Sequence, residues 1–91
     1  MKKVLVVSKD PVGAGLRMIL RQLQAAEIVA DIADADVLLA YGREDVFKAL
    51  EESTLPVWQV SQLKERYINA RVRHFDIFDE LMPRLQAALN E

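Results

Sequence analysis

Cysteine is absent from this 91-residue chain, and with it go disulfides, thiolate nucleophiles and sulfur-ligated zinc. There is a single histidine, so no second imidazole can share a metal with it. Long apolar runs are missing too: nothing approaches the ~18 residues that a membrane span requires. Met1-Lys2-Lys3 leads into only Val4 to Val7 before Ser8, Lys9 and Asp10, which reads as a strand and not as a signal peptide. Finally, no one sign of charge dominates. Twelve basic and 14 acidic residues are spread along the chain for a net charge of −2, a balance that sets up no field to gather nucleic acid or anionic lipid. A soluble cytoplasmic protein without metal, cofactor, nucleic-acid or membrane partner is the expectation.

Hydrophobic residues make up 52% and charged residues 29% of the chain, close to globular averages, and the apolar ones fall into separate clusters. Two cores would each bury too little surface to offset chain entropy, so residues 1–91 are expected to form one domain.

The first cluster, Val4-Leu5-Val6-Val7, is a continuous β-branched and aliphatic run, the mark of a strand buried on both faces of a parallel sheet. Asp10-Pro11 then makes a helix entrance, with the Asp side chain available to free backbone N–H groups and Pro at the first helical position. Val12, Leu16, Ile19, Leu20 and Leu23 follow at helical spacing, opposite Arg17, Arg21 and Gln22. A weaker second strand spans 27–30, and a strong third spans 37–41, ending at Gly42. Only six residues separate these two strands, so either the second is very short or the connection is a tight half-turn.

Val46, Phe47 and Leu50 give a second helix over 43–52, and Val57-Trp58-Gln59-Val60 a fourth strand. Ser61 is a plausible N-cap for a third helix with Leu63, Tyr67 and Ile68 inward. Residues 71–75 are a candidate short fifth strand. In the last helix, about 76–90, Ile77, Leu81, Leu85 and Leu89 recur, and Pro83 either kinks it or belongs to a first turn that begins later. The basic stretch 64–74 contains Glu65 as well and is read as solvated surface. Strands alternating with helices predict an α/β, flavodoxin-like three-layer fold, with strand order 2-1-3-4 and helices on both faces.

Ligands of such sheets sit at the carboxyl ends of the strands, beside the point where strand order reverses. That crevice collects Ser8, Lys9 and Asp10 with Tyr41, Arg43 and Ser61, and the Gly13-Ala14-Gly15 loop beside them. The glycines invite a phosphate-loop reading, but Met18 stands where a dinucleotide fingerprint needs its third glycine, and no Gly-Lys-Ser/Thr ending follows. Close packing of the first helix on the sheet is the preferred role for Gly13 and Gly15. A hydrolytic serine would have to pair with His74, from Ser8, Ser53 or Ser61, and none lies in a nucleophile-elbow motif. No catalytic residue is assigned.

Two families resemble parts of the chain. From Val4 to Leu20 it looks like the opening of response-regulator receiver domains, which read roughly VLVVDDHPVVRAGLRMLL. Asp36-Val37-Leu38-Leu39-Ala40-Tyr41 is similar to their third strand, and Leu55 to Ser61 to their fourth, which ends in Ser or Thr. The chain is shorter than that family's usual length. Where the family holds Mg²⁺ on an acidic pair, this chain has Ser8 and Lys9, and Tyr41 stands in place of the phosphorylated aspartate. Phosphoryl transfer to aspartate relies on that metal, so the resemblance implies a degenerate receiver that acts in signal transduction by surface recognition of a protein partner.

The architecture also resembles enzyme IIB domains of the sugar phosphotransferase system, with Ser8 in place of the cysteine that takes the phosphoryl group. That resemblance implies a phosphocarrier or phosphate-binding domain using residues 8–15. A homodimer through an exposed sheet edge bearing Trp58 is a further expectation.

Overall fold

The computed structural model describes residues 1–91. Its five parallel strands are β1 (Lys2–Val6), β2 (Ala26–Ile28), β3 (Val37–Ala40), β4 (Val57–Ser61) and β5 (Val72–Asp76). They lie in the order β2-β1-β3-β4-β5. Three helices cover the sheet: α1 (Val12–Leu23), α2 (Arg43–Glu52) and α3 (Leu81–Leu89). This is a flavodoxin-like three-layer α/β domain, and the fifth strand is fully formed, with Val57 to Ser61 in register with Val72 to Asp76. No helix is long and apolar enough to cross a membrane.

β3 and β4 are buried at every position, as expected of central strands covered on both faces. On one side, α1 and α3 close over Val4, Val37, Leu39, Trp58, Val60 and Phe75. Trp58 and Phe75 meet there in a tilted pair with centroids 5.4 Å apart. On the other, α2 lays Val46 and Ala49 on Leu38, Ala40 and Val57.

Right-handed crossovers put three connections on the α2 side, those from β2 to β3, β3 to β4 and β4 to β5. Only the middle one is an α-helix. The first carries a 3-10 turn over Ile32–Asp34 and the last a 3-10 turn over Leu63–Glu65.

Several local expectations are corrected. The helix predicted after Ser61 does not form: Gln62, not Ser61, precedes the short turn, and Ile68 is 83% exposed. Only three apolar residues were available there, and Leu63, also exposed, has no surface to bury. Phe47 points outward while Val46 and Ala49 face the sheet, because a helix of three turns resting on two strands buries a narrow stripe. Val12 is largely exposed at the first position of α1.

Asp10 does not cap α1. Pro11 already has helical angles, and the Gly13 N–H is taken by the Lys9 carbonyl at 2.9 Å, so the Asp10 carboxylate turns instead to Arg17 at 2.6 Å. β2 runs 26–28 and not 27–30. Val29 still donates to the Val4 carbonyl at 3.0 Å, but by then the chain is leaving the sheet for the short crossover. Pro83 is the third residue of α3, where its missing N–H has no intrahelical partner to lose, so the later start is the alternative that the chain takes.

Candidate functional site

The carboxyl ends of β1, β3 and β4 bring Ser8, Tyr41 and Ser61 to one rim of the sheet, but their polar groups are turned to holding the chain. Ser8 is 5% exposed. Its Oγ accepts the Tyr41 backbone N–H at 2.9 Å, locking the exits of β1 and β3 together. The Tyr41 carbonyl accepts from Gln59 Nε2 at 3.0 Å, while its ring packs against the core on the α1/α3 side.

Gly13 fits because the first turn of α1 presses on the end of β1: a Cβ at that position would lie 2.1 Å from the Ser8 carbonyl oxygen. Gly15 has no such role, since nothing lies within 4 Å of a Cβ built there. The shared packing role expected of the two glycines therefore belongs to Gly13 alone. Lys9 is exposed. Arg43 stacks over the Tyr67 ring at 5.5 Å and donates to the Arg66 carbonyl at 3.1 Å.

Ser61 and His74 meet across β4 and β5, with Oγ 2.9 Å from Nε2. Of the three serines that could partner the lone histidine, this is the one that the fold brings to it. Ser61 Oγ also donates to the Gln62 carbonyl at 3.0 Å. With its proton there, the hydroxyl accepts from Nε2–H; with its proton turned to the ring, it donates to Nε2. Either way the pair is internally satisfied. The neighbouring carboxylate, Asp76, accepts the Phe78 N–H at 2.9 Å. Ser61 is fully buried, so a nucleophile at this place would have neither access nor the orienting acid that a hydrolytic triad uses.

The rim does not form a cavity around these residues. Of Ser8, Lys9, Asp10, Gly13, Gly15, Tyr41, Arg43 and Ser61, only Lys9 lines any surface depression. The largest, about 670 Å³, lies at the opposite end of the sheet, where β1 begins and α1 and α3 end. Where the receiver resemblance would put metal-holding acids stand Ser8 and Lys9, and Asp10 is engaged by Arg17. No group of three or more His, Cys, Asp or Glu residues is placed to hold a metal ion, so these residues do not fit the Mg²⁺ that receivers use.

Two residues outside the expected site matter more to the architecture. Gln59, fully buried in the middle of β4, donates to the carbonyls of Tyr41 and Glu65 and accepts the Tyr67 N–H at 2.7 Å. Arg71 donates to the carbonyls of Leu50, Ser53 and Leu55, closing the end of α2 and the loop behind it. Gln59 could have been singled out as the one polar residue inside an apolar strand. Arg71 was hidden in a stretch that reads as solvated.

The expected dimer edge is also absent. β5 covers β4 on its outer side, and Trp58 is buried beneath Lys2 and Arg73, whose cationic groups sit 5.6 and 6.0 Å from its ring centroid.

Neither protein-family models, curated proteins nor solved structures give a match to this chain.

Proposed function

We propose that this domain is a non-enzymatic interaction module of the cytoplasm, receiver-like in layout, that signals by presenting a surface to a protein partner and not by phosphoryl transfer. The observation that supports this reading best is the state of Ser8. Its hydroxyl oxygen is buried and accepts the Tyr41 amide, at the position where the IIB resemblance would need a group open to a phosphoryl donor and the receiver resemblance an acid open to Mg²⁺. A serine without an adjacent base is a weak nucleophile, and one that ties two strand ends together is weaker still as a phosphate carrier. Lys9 in place of an acid and the Asp10–Arg17 pair point the same way, because divalent-ion binding needs carboxylate oxygens free to converge.

Incubation with acetyl phosphate and Mg²⁺, followed by intact-mass spectrometry, tests the reading. The expected result is an unmodified chain. A gain of one phosphoryl group would overturn the proposal, and its site would choose between the two resemblances: a stable ester on Ser8 for a carrier, a labile acyl phosphate on an aspartate for a working receiver.

A further inference from the structure

The α2 side of the sheet lacks two of the helices that its crossovers could have carried, and the place above β1 is the more open of the two. A groove of about 280 Å³ runs there beside α2. Its accessible floor is Leu5 and Val7 of the β1 segment, with Leu38 and Ala49 buried behind them and Ile32 exposed on one wall. The connection from β2 to β3 cannot fill it. Residues 29–36 must run back along the strand direction in eight steps, which leaves length for one 3-10 turn and not for a helix.

Four charged side chains border the same groove: Asp45, Lys48 and Glu52 on α2, and Lys9 at its upper end. Asp45, Lys48 and Glu52 fall at i, i+3 and i+7, along one face of the helix. None of the four makes an ion pair within the molecule. Thus an apolar trough is edged on its helical wall by an acid, a base and an acid, all without intramolecular partners.

We infer that this groove receives an amphipathic helix of another protein, with an apolar stripe on Leu5, Val7 and Ile32 and a basic–acidic–basic series facing Asp45, Lys48 and Glu52. The inference rests on the interaction reading above and names the surface and the chemistry of the partner. Helix-in-groove docking of this kind takes its affinity from the apolar stripe and its specificity from the flanking charges.

A second copy of this chain does not supply the matching helix. The only charges on α1 are Arg17 and Arg21, and α3 has Arg84 alone. α2 set antiparallel against itself about Lys48 would oppose Lys48 to Lys48 and set the two acids of each copy against those of the other.

The test uses the whole chain, ¹⁵N-labelled, and two synthetic peptides of about 18 residues, long enough to hold a helix in water. Both carry the same Leu/Ile stripe; one has Lys, Glu, Lys at i, i+3, i+7 beside it, the other Glu, Lys, Glu. The first is expected to shift the amides of Leu5, Val7, Ile32, Leu38 and Ala49, and to bind about fivefold to tenfold more tightly than the second at low salt, in line with the small worth of individual exposed pairs.

Lys48→Glu, an exposed position that the fold does not depend on, should reduce that preference, and a peptide with its central Glu changed to Lys should restore it. Absence of shifts at millimolar peptide, equal binding of both peptides, or shifts centred elsewhere would overturn the inference. So would light scattering that shows a dimer whose amide shifts map to this groove. Failure here with the mass unchanged in acetyl phosphate leaves the interaction reading standing without this site, whereas phosphorylation removes that reading whatever the peptides do.

Discussion

The two sides of the sheet are built by different means. On the α1/α3 side, eleven buried residues form one cluster, and side chains from two helices interlock with Val4, Leu39, Trp58 and Phe75. The α2 side has a cluster of five, so apolar packing alone does not close it, and polar side chains take over. Gln59 holds residues 62–70 through the Glu65 carbonyl and the Tyr67 N–H, and ties them to the Tyr41 carbonyl. Arg71 holds the exit of α2 through three carbonyls, and Ser61 and His74 satisfy each other.

A helix satisfies its own backbone groups and asks only that one face be buried, whereas an irregular connection leaves N–H and C=O groups that something else must meet. Where crossover helices are missing, buried hydrogen-bonding side chains become the framework.

The largest effect that would test this contrast is on the packed side. Leu85 is fully buried between α3 and the sheet, and Leu85→Ala should cost about 3 kcal/mol by lost transfer energy and the cavity left behind. Urea unfolding read by Trp58 fluorescence gives the value. Amide exchange in 62–70 should change no more than the global stability requires. A loss below about 1 kcal/mol would mean that α3 is not clamped as its burial indicates.

Gln59→Leu is the counterpart on the other side. The side chains are similar in size and the replacement is apolar, so little is lost in packing, but the Tyr67 N–H and the Tyr41 and Glu65 carbonyls lose their partner. Leaving such groups unmet should cost about 2 kcal/mol, with amide exchange across 62–70 accelerated beyond the global change. A neutral Gln59→Leu with unchanged exchange would show that the segment is held by its own turn and by Arg43 on Tyr67, and the contrast between the faces would fail.

Arg71→Met comes next. It keeps most of the apolar stem and removes the guanidinium, so the loss should be about 1 kcal/mol, confined to the junction of α2 and β4. Exchange at Ser53 and Leu55 reports it.

These expectations also separate what the residues disclose from what they conceal. Strand order and layering could be read because β1 and β3 contain continuous apolar runs, because β4 is broken only by Gln59 before its terminal Ser61, and because connection handedness leaves few arrangements. The fifth strand was visible only as a suggestion, since Val72 to Asp76 has just two apolar residues, Val72 and Phe75, among charged and polar ones, as an edge strand can.

That Ser8, Tyr41 and Ser61 share one rim could be read from the strand order, but what their polar groups hold was not legible. Whether Ser8 Oγ faces a crevice or the Tyr41 amide depends on how close two strand ends come, which no local pattern encodes. The absence of a helix after Ser61 was obscured by a serine that looks like a cap; what decides it is the lack of a sheet surface to bury Leu63 and Ile68. Asp45, Lys48 and Glu52 are ordinary helix-surface charges in the sequence, and only the fold sets them beside an open apolar floor.

The smallest effect concerns the two glycines that the sequence presents as a pair. A single phosphate-gripping or close-packing loop would make both intolerant of a side chain. The fold makes them opposites: Gly13 is pressed against the Ser8 carbonyl, and Gly15 faces open space on α1. Gly15→Ala should therefore raise stability by about 0.5–1 kcal/mol, because alanine restricts the unfolded chain and suits a helix interior. The expected sign is the informative part. A destabilising Gly15→Ala would mean that position 15 is pressed against another part of the domain, and that the two glycines share one packing role after all.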